Sequence, residues 1–135
     1  MLVPIYTGIF LDNDDIYSHF PSKLSVQVGH PHVTLVYRGG VESAHEEFLG
    51  EMVKVRVVGY GNDGKNEGLK VELVAENPEL QNLCNTVEVP HVTLSTSRDS
   101  KNRNTKCLKF ESIDEPIEFV GRYGVFTRSG LVLYN

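Results

Sequence analysis

Two histidines in this chain stand in the same local sequence. The pentapeptide Pro-His-Val-Thr-Leu occupies residues 31–35 and again residues 90–94, which sets His32 and His91 59 residues apart. In an extended strand, residues two apart point to the same side. His32 and Thr34 therefore share one face, opposite Val33 and Leu35, and His91 with Thr93 lies likewise opposite Val92 and Leu94. Each strand is expected to anchor in a core through its aliphatic residues and to present an imidazole and a hydroxyl on its other face. Imidazole titrates near neutrality, so one neutral ring can take a proton from an attacking water or hydroxyl while a second, protonated, gives one to a departing oxygen. Threonine hydroxyls can donate to non-bridging phosphate oxygens and hold the phosphorus in line. Two such pairs around one anion suit phosphodiester cleavage without a metal.

The elements that must bring the pairs together are mostly strands. Residues 4–11 are a β-rich apolar run, and a short helix is expected over 12–20 with Asp12 or Asn13 as its cap. Residues 23–28 and 32–38 read as strands, the second broken by Gly39-Gly40. Val41, Ala44 and Phe48 have helical spacing over 41–50, with Gly50 as a stop. Val53, Val55 and Val57 alternate with Lys54 and Arg56 in a strand, whose hairpin partner begins at Gly68. Asn77 caps a helix with Pro78 in its first turn. After the second histidine strand come a polar loop over 97–106, a strand around 108–110, and a closing hairpin over 117–134.

The repeat extends past the pentapeptide. Val-Val-Gly-Tyr-Gly and Gly-Leu-Lys-Val follow the first copy; Val-Gly-Arg-Tyr-Gly and Gly-Leu-Val-Leu follow the second. His32 to Gly68 spans 36 residues and His91 to Gly130 spans 39. Residues 1–135 are therefore read as a single α+β domain of two pseudo-symmetric lobes around a central cleft. Two His-x-Thr-hydrophobic motifs, one in each half of such a domain, resemble those of the 2H phosphoesterase superfamily, which includes 2′-5′ RNA ligase-like proteins and cyclic phosphodiesterases. The resemblance implies a bilobal, mostly antiparallel fold with short helices and metal-independent catalysis with no cofactor. It also implies catalytic roles for His32, Thr34, His91 and Thr93. The implied substrates are small nucleotides: a 2′,3′-cyclic phosphate end, a 2′-5′ oligonucleotide or a cyclic oligonucleotide messenger. A rival from another class is a binding protein that sequesters a cyclic nucleotide without cleaving it.

Other residues carry competing readings. Arg98, Lys101 and Arg103, with Lys106 against Asp99, make the 97–106 loop locally basic. The loop follows the second motif and either contacts substrate phosphate or is simply solvated. Tyr6 is a candidate for stacking on a base, whereas Tyr60 and Tyr123 sit at matching repeat positions and read as packing residues. His30 and His32, with His45 or His91, allow a zinc reading, but it leaves the repeated threonine unexplained. His19 and His45 read as surface positions on helices.

Composition limits the function. A net charge of -5 repels a polyanion, so long duplex nucleic acid is not an expected partner. Cys84 and Cys107 have no metal-binding spacing and read as free, wholly or partly buried thiols in a reducing compartment. The first residues lack a basic leader and no apolar run reaches membrane-spanning length, so no membrane association and a cytoplasmic location are expected.

Overall fold

The computed structural model describes residues 2–134. Among the described residues eight strands form one antiparallel sheet: β1 (Tyr6–Phe10), β2 (Val26–Gln27), β3 (His32–Tyr37), β4 (Met52–Asn62), β5 (Asn66–Ala75), β6 (His91–Thr96), β7 (Glu111–Thr127) and β8 (Gly130–Val132). Its order is β2-β6-β5-β4-β7-β1-β3, with β8 on β7. Two short α-helices complete an α+β architecture, α1 (Asn13–His19) and α2 (Pro78–Asn85). The histidine strands β3 and β6 each lie two strands out from the central β4–β7 pair.

Alternation builds the core. Val53, Val55 and Val57 of β4 are buried between exposed Met52, Lys54 and Arg56. Val33 and Leu35 of β3 join Val92 and Leu94 of β6 in the same cluster, which also takes Ile16 of α1 and Leu80 and Cys84 of α2. Burying each such aliphatic side chain contributes about 1.5–3 kcal/mol. The helices start where capping chemistry places them. The Asp12 carboxylate accepts from the Asp15 amide at 3.1 Å, and Asn77 accepts from those of Glu79 and Leu80.

A short strap unites the two ends of the strand order. β2 pairs with β6, and the Val28 amide donates to the Leu94 carbonyl at 3.0 Å. His32 follows four residues later, and four extended residues reach at most about 14 Å. Tyr17 of α1 secures this join, its hydroxyl donating to the Val28 carbonyl at 2.7 Å and lying 2.9 Å from that of Leu94. β3 and β6 are thereby held in contact.

Four local expectations need correction. Residues 41–50 form two 3₁₀ turns, Val41–Ala44 and Glu46–Phe48, separated by a left-handed His45 (φ 46°). Neither turn has a side-chain cap, and so short a segment does not sustain an α-helix without one. The expected strand over 23–28 shrinks to Val26–Gln27, because the amides of Lys23 and Leu24 donate to the side chains of Glu67 and Ser95 instead of to a ladder. Residues 108–110 are not a strand; Leu108 and Phe110 pack over Gly59 and Gly61. Cys84 is buried as expected, but Cys107 is exposed. Among the described residues no helix is long and apolar enough to cross a membrane.

Gly8 of β1 has no room for a side chain against the neighbouring strand β3. A β-carbon there would lie 2.4 Å from the Val33 carbonyl oxygen, and a backbone atom in a paired strand cannot swing aside. Gly8→Ala is expected to cost about 1–3 kcal/mol through overpacking. Urea denaturation checks this, with a lowered midpoint expected and an unchanged midpoint contradicting it.

Candidate active site

Both histidine strands carry the same irregularity. Thr7 pairs with Val36 and Gly8 with Thr34, leaving Leu35 as an extra residue in a β-bulge. Glu67 pairs with Ser95 and Gly68 with Thr93, leaving Leu94 extra in the same way. The leucine that ends each pentapeptide is therefore the bulged residue. Bulges re-aim neighbouring side chains and are over-represented beside active sites. The match continues outward. A β-carbon at Gly68 would lie 2.7 Å from the Val92 carbonyl oxygen, the counterpart of the Gly8–Val33 approach. The Leu11 amide donates to the Pro31 carbonyl at 3.0 Å, and the Val71 amide to that of Pro90 at 3.1 Å.

Each imidazole is held by its own strand. Nδ1 of His32 donates to the His30 carbonyl at 2.7 Å, and Nδ1 of His91 to the Val89 carbonyl at 2.8 Å. A carbonyl can only accept, so both rings carry their proton on Nδ1 and leave Nε2 as an acceptor. Around His32, the Thr34 hydroxyl lies 3.1 Å from Nε2 and donates to it. The rings of His32 and His91 are near enough that a charge on His91 would act on His32.

The two environments then diverge at equivalent register positions. Phe10 stands opposite His32, and Lys70 stands opposite His91. Tyr6 and Phe10 stack on His32 with centroids at 4.5 and 5.1 Å, and Phe126 extends the cluster at 5.1 Å from Tyr6. Burial in this aromatic cluster removes solvent that would stabilise the cation and lowers the His32 pKa to about 4. His91 is also lowered, first by desolvation and then by the charge of Lys106. Burial raises Tyr6 to about 12.

The threonines differ as well. Thr34 is half-buried beside its imidazole, while Thr93 is buried and its hydroxyl is engaged. Thr93 lies 2.8 Å from Thr105 Oγ1 and 3.3 Å from the Asn102 carbonyl, both in the 3₁₀ turn Asn102–Cys107. That turn occupies much of the segment read from sequence as a loop. Arg98, Lys101 and Arg103 are exposed, and their side chains make no hydrogen bond or ion pair among the described residues. Lys106 is the residue of this segment whose charge reaches His91, although sequence reading counted it only towards the loop's net charge. Phe10 and Lys70 were also missed, because the pairing of their strands is not visible in the letters.

Tyr60 and Tyr123 have packing roles, donating to the Glu67 carboxylate at 2.5 Å and the Ala44 carbonyl at 2.7 Å. His19 is exposed, and His45 sits between turns instead of on a helix. Among the described residues no three His, Cys, Asp or Glu side chains converge as a metal site. A groove of about 510 Å³ lined by Phe10, His30, Arg122 and Tyr134, among others, adjoins the aromatic cluster. Neither a scan of protein-family models nor a search of curated proteins returns a match to the chain.

The lowered His32 pKa has a definite sign in stability. The unfolded imidazole binds a proton near pH 6.5 and the folded one near 4, so this contribution is intact above about 6.5 and lost as pH falls towards 4. One imidazole accounts for at most about 1.4 kcal/mol per pH unit. Urea midpoints measured from pH 7 to 4 should fall more steeply for wild type than for His32→Gln. Parallel curves, or an NMR titration of His32 near 6.5, would contradict the assignment.

Proposed function

We propose that the protein is a metal-independent phosphodiesterase of the 2H type, acting on a small nucleotide through His32 and His91. The matched environments of the two motifs carry this reading: the same bulge, the same facing glycine and the same Nδ1–carbonyl bond recur at each. Such recurrence fits a duplicated domain in which each half contributes one histidine. It is more than two ordinary strand histidines would need.

The divergence supports an assignment of roles. His32 is uncharged at neutral pH, with Nε2 an acceptor, and so serves as general base. It takes a proton from water, whose oxygen attacks phosphorus. The bond from phosphorus to the departing ribose oxygen breaks, and Nε2–H of protonated His91 gives that oxygen its proton. The bound phosphodiester supplies the negative charge that favours protonation of His91. Thr34 turns its hydroxyl from Nε2 to a non-bridging oxygen. A 2′,3′-cyclic phosphate, a 2′-5′ linkage or a cyclic oligonucleotide fits this chemistry, and Tyr6, stacked on His32 and Phe126, backs the imidazole instead of standing free for a nucleobase.

One observation favours a second reading, in which the protein sequesters a cyclic nucleotide unchanged. Both imidazole pKa values are lowered in the free protein, so no acid is loaded in advance.

Incubating the protein with this panel of nucleotides in excess EDTA, followed by chromatography of the recovered material, separates the readings. Cleavage is expected in wild type, with His32→Ala and His91→Ala each about 10²–10⁴-fold slower, the usual worth of one proton transfer. The acid limb of kcat/KM should fall well below pH 6. Undiminished cleavage in both variants would sink the catalytic assignment, and intact recovered ligand would favour sequestration.

A further inference from the structure

We propose that Thr93 is a positioning residue: its hydroxyl fastens the 102–107 turn, and the turn's Lys106, together with Lys70, holds the substrate anion on the His91 side. This deepens the phosphodiesterase reading and rests on it for the identity of the anion.

The fastening is explicit in the hydrogen bonds. Thr105 is fully buried, and its hydroxyl oxygen lies 2.8 Å from that of Thr93 and receives Asn66 Nδ2 at 3.0 Å. The same Asn66 amide donates to the Lys101 carbonyl at 2.8 Å, and Ser100 donates to the Asn66 carbonyl oxygen. Gly68 makes room, since a β-carbon there would lie 2.3 Å from the Thr105 methyl group. The turn is thus clipped to the sheet by polar groups with little solvent access. A Thr93 hydroxyl committed to this buried network is not free to meet a phosphate, whereas the half-buried Thr34 hydroxyl has only Nε2 of His32 to leave.

The cations stand where an anion contact is needed. Lys70 is exposed and lies directly across the ladder from His91, at the position Phe10 fills beside His32. Lys106 is exposed and follows the buried Thr105 in the chain. The charge that bears on His91 is that of Lys106 from the turn, while Lys70 of β5 is its partner across the ladder and His32 of β3 lies near enough to feel a charge on His91. Two ammonium groups on one side and one hydroxyl on the other make an asymmetric anion cradle.

The test uses Thr93→Val, Thr93→Ser, Thr105→Val and Lys106→Gln. NMR titration of His91 reads the fastening whether or not the protein turns over substrate. Removing the Lys106 charge, or releasing the turn that carries it, should raise the His91 pKa in all but Thr93→Ser. With a nucleoside 2′,3′-cyclic phosphate, the same three variants should lose kcat/KM about ten- to a hundredfold, the range for a hydrogen bond to a charged group. The loss should fall mainly on KM, with Thr93→Ser close to wild type. Wild-type titration and kinetics in Thr105→Val beside a crippled Thr93→Val would overturn the proposal and make Thr93 a direct substrate contact. The exposed Lys106→Gln guards against misfolding: wild-type KM in that variant also overturns it. The expected titration shifts without turnover by wild type would support the fastening and count against the phosphodiesterase reading alone.

Discussion

The structure depends on the shortness of the connection between β2 and β3. Because β2 lies on β6, the chain leaves the partner of one histidine strand and has only four residues before it begins the other. A sheet of this order, left open, would hold β3 and β6 at opposite ends with the whole of β5, β4, β7 and β1 between them. The strap removes that freedom, and Tyr17 fixes its position from the helix side. Everything chemical then follows from which side chains β3 and β6 direct away from the shared core.

Within that frame, near-identical scaffolds carry unlike neighbours. Tyr6 and Phe10 on β1 correspond by register to Asn66 and Lys70 on β5. The first pair strips water from His32, whereas the second clips down a basic turn and sets a cation beside His91. General acid–base chemistry benefits from two titratable groups whose surroundings push them apart. Here the backbone keeps the symmetry and four side chains break it.

The motif and its alternation were legible because they are local. Strand period, the caps at Asp12 and Asn77 and the hairpin of β4 with β5 all come from residues near one another in the chain. The equivalence of Gly8 with Gly68 was not legible. Sequence order matched Gly68 to Gly130, but Gly130 lies on β8 at the edge of β7, and the glycine facing the first motif threonine precedes it on β1. Tyr-Thr-Gly-Ile-Phe and Asn-Glu-Gly-Leu-Lys share only their glycine, so composition gives no hint of a common place. The tie between Thr93 and Thr105 was hidden for a related reason: a 3₁₀ turn has no strong periodic signature, and Asn66 reaches it from another strand.

The two halves also differ in when they can exist. β4, β5 and β6 follow one another closely along the chain, so the surroundings of His91 assemble from consecutive hairpins. β1 is different, since its second neighbour is β7, and Phe126 joins the aromatic cluster from there. During synthesis from the amino end, Tyr6 and Phe10 can meet His32 through the local β1–β3 pairing, but Phe126 closes the cluster only once residues 122–126 emerge and make the long-range pairing with β1. The enclosure of His32 is thus begun by its near neighbours in the chain and completed by its most distant one.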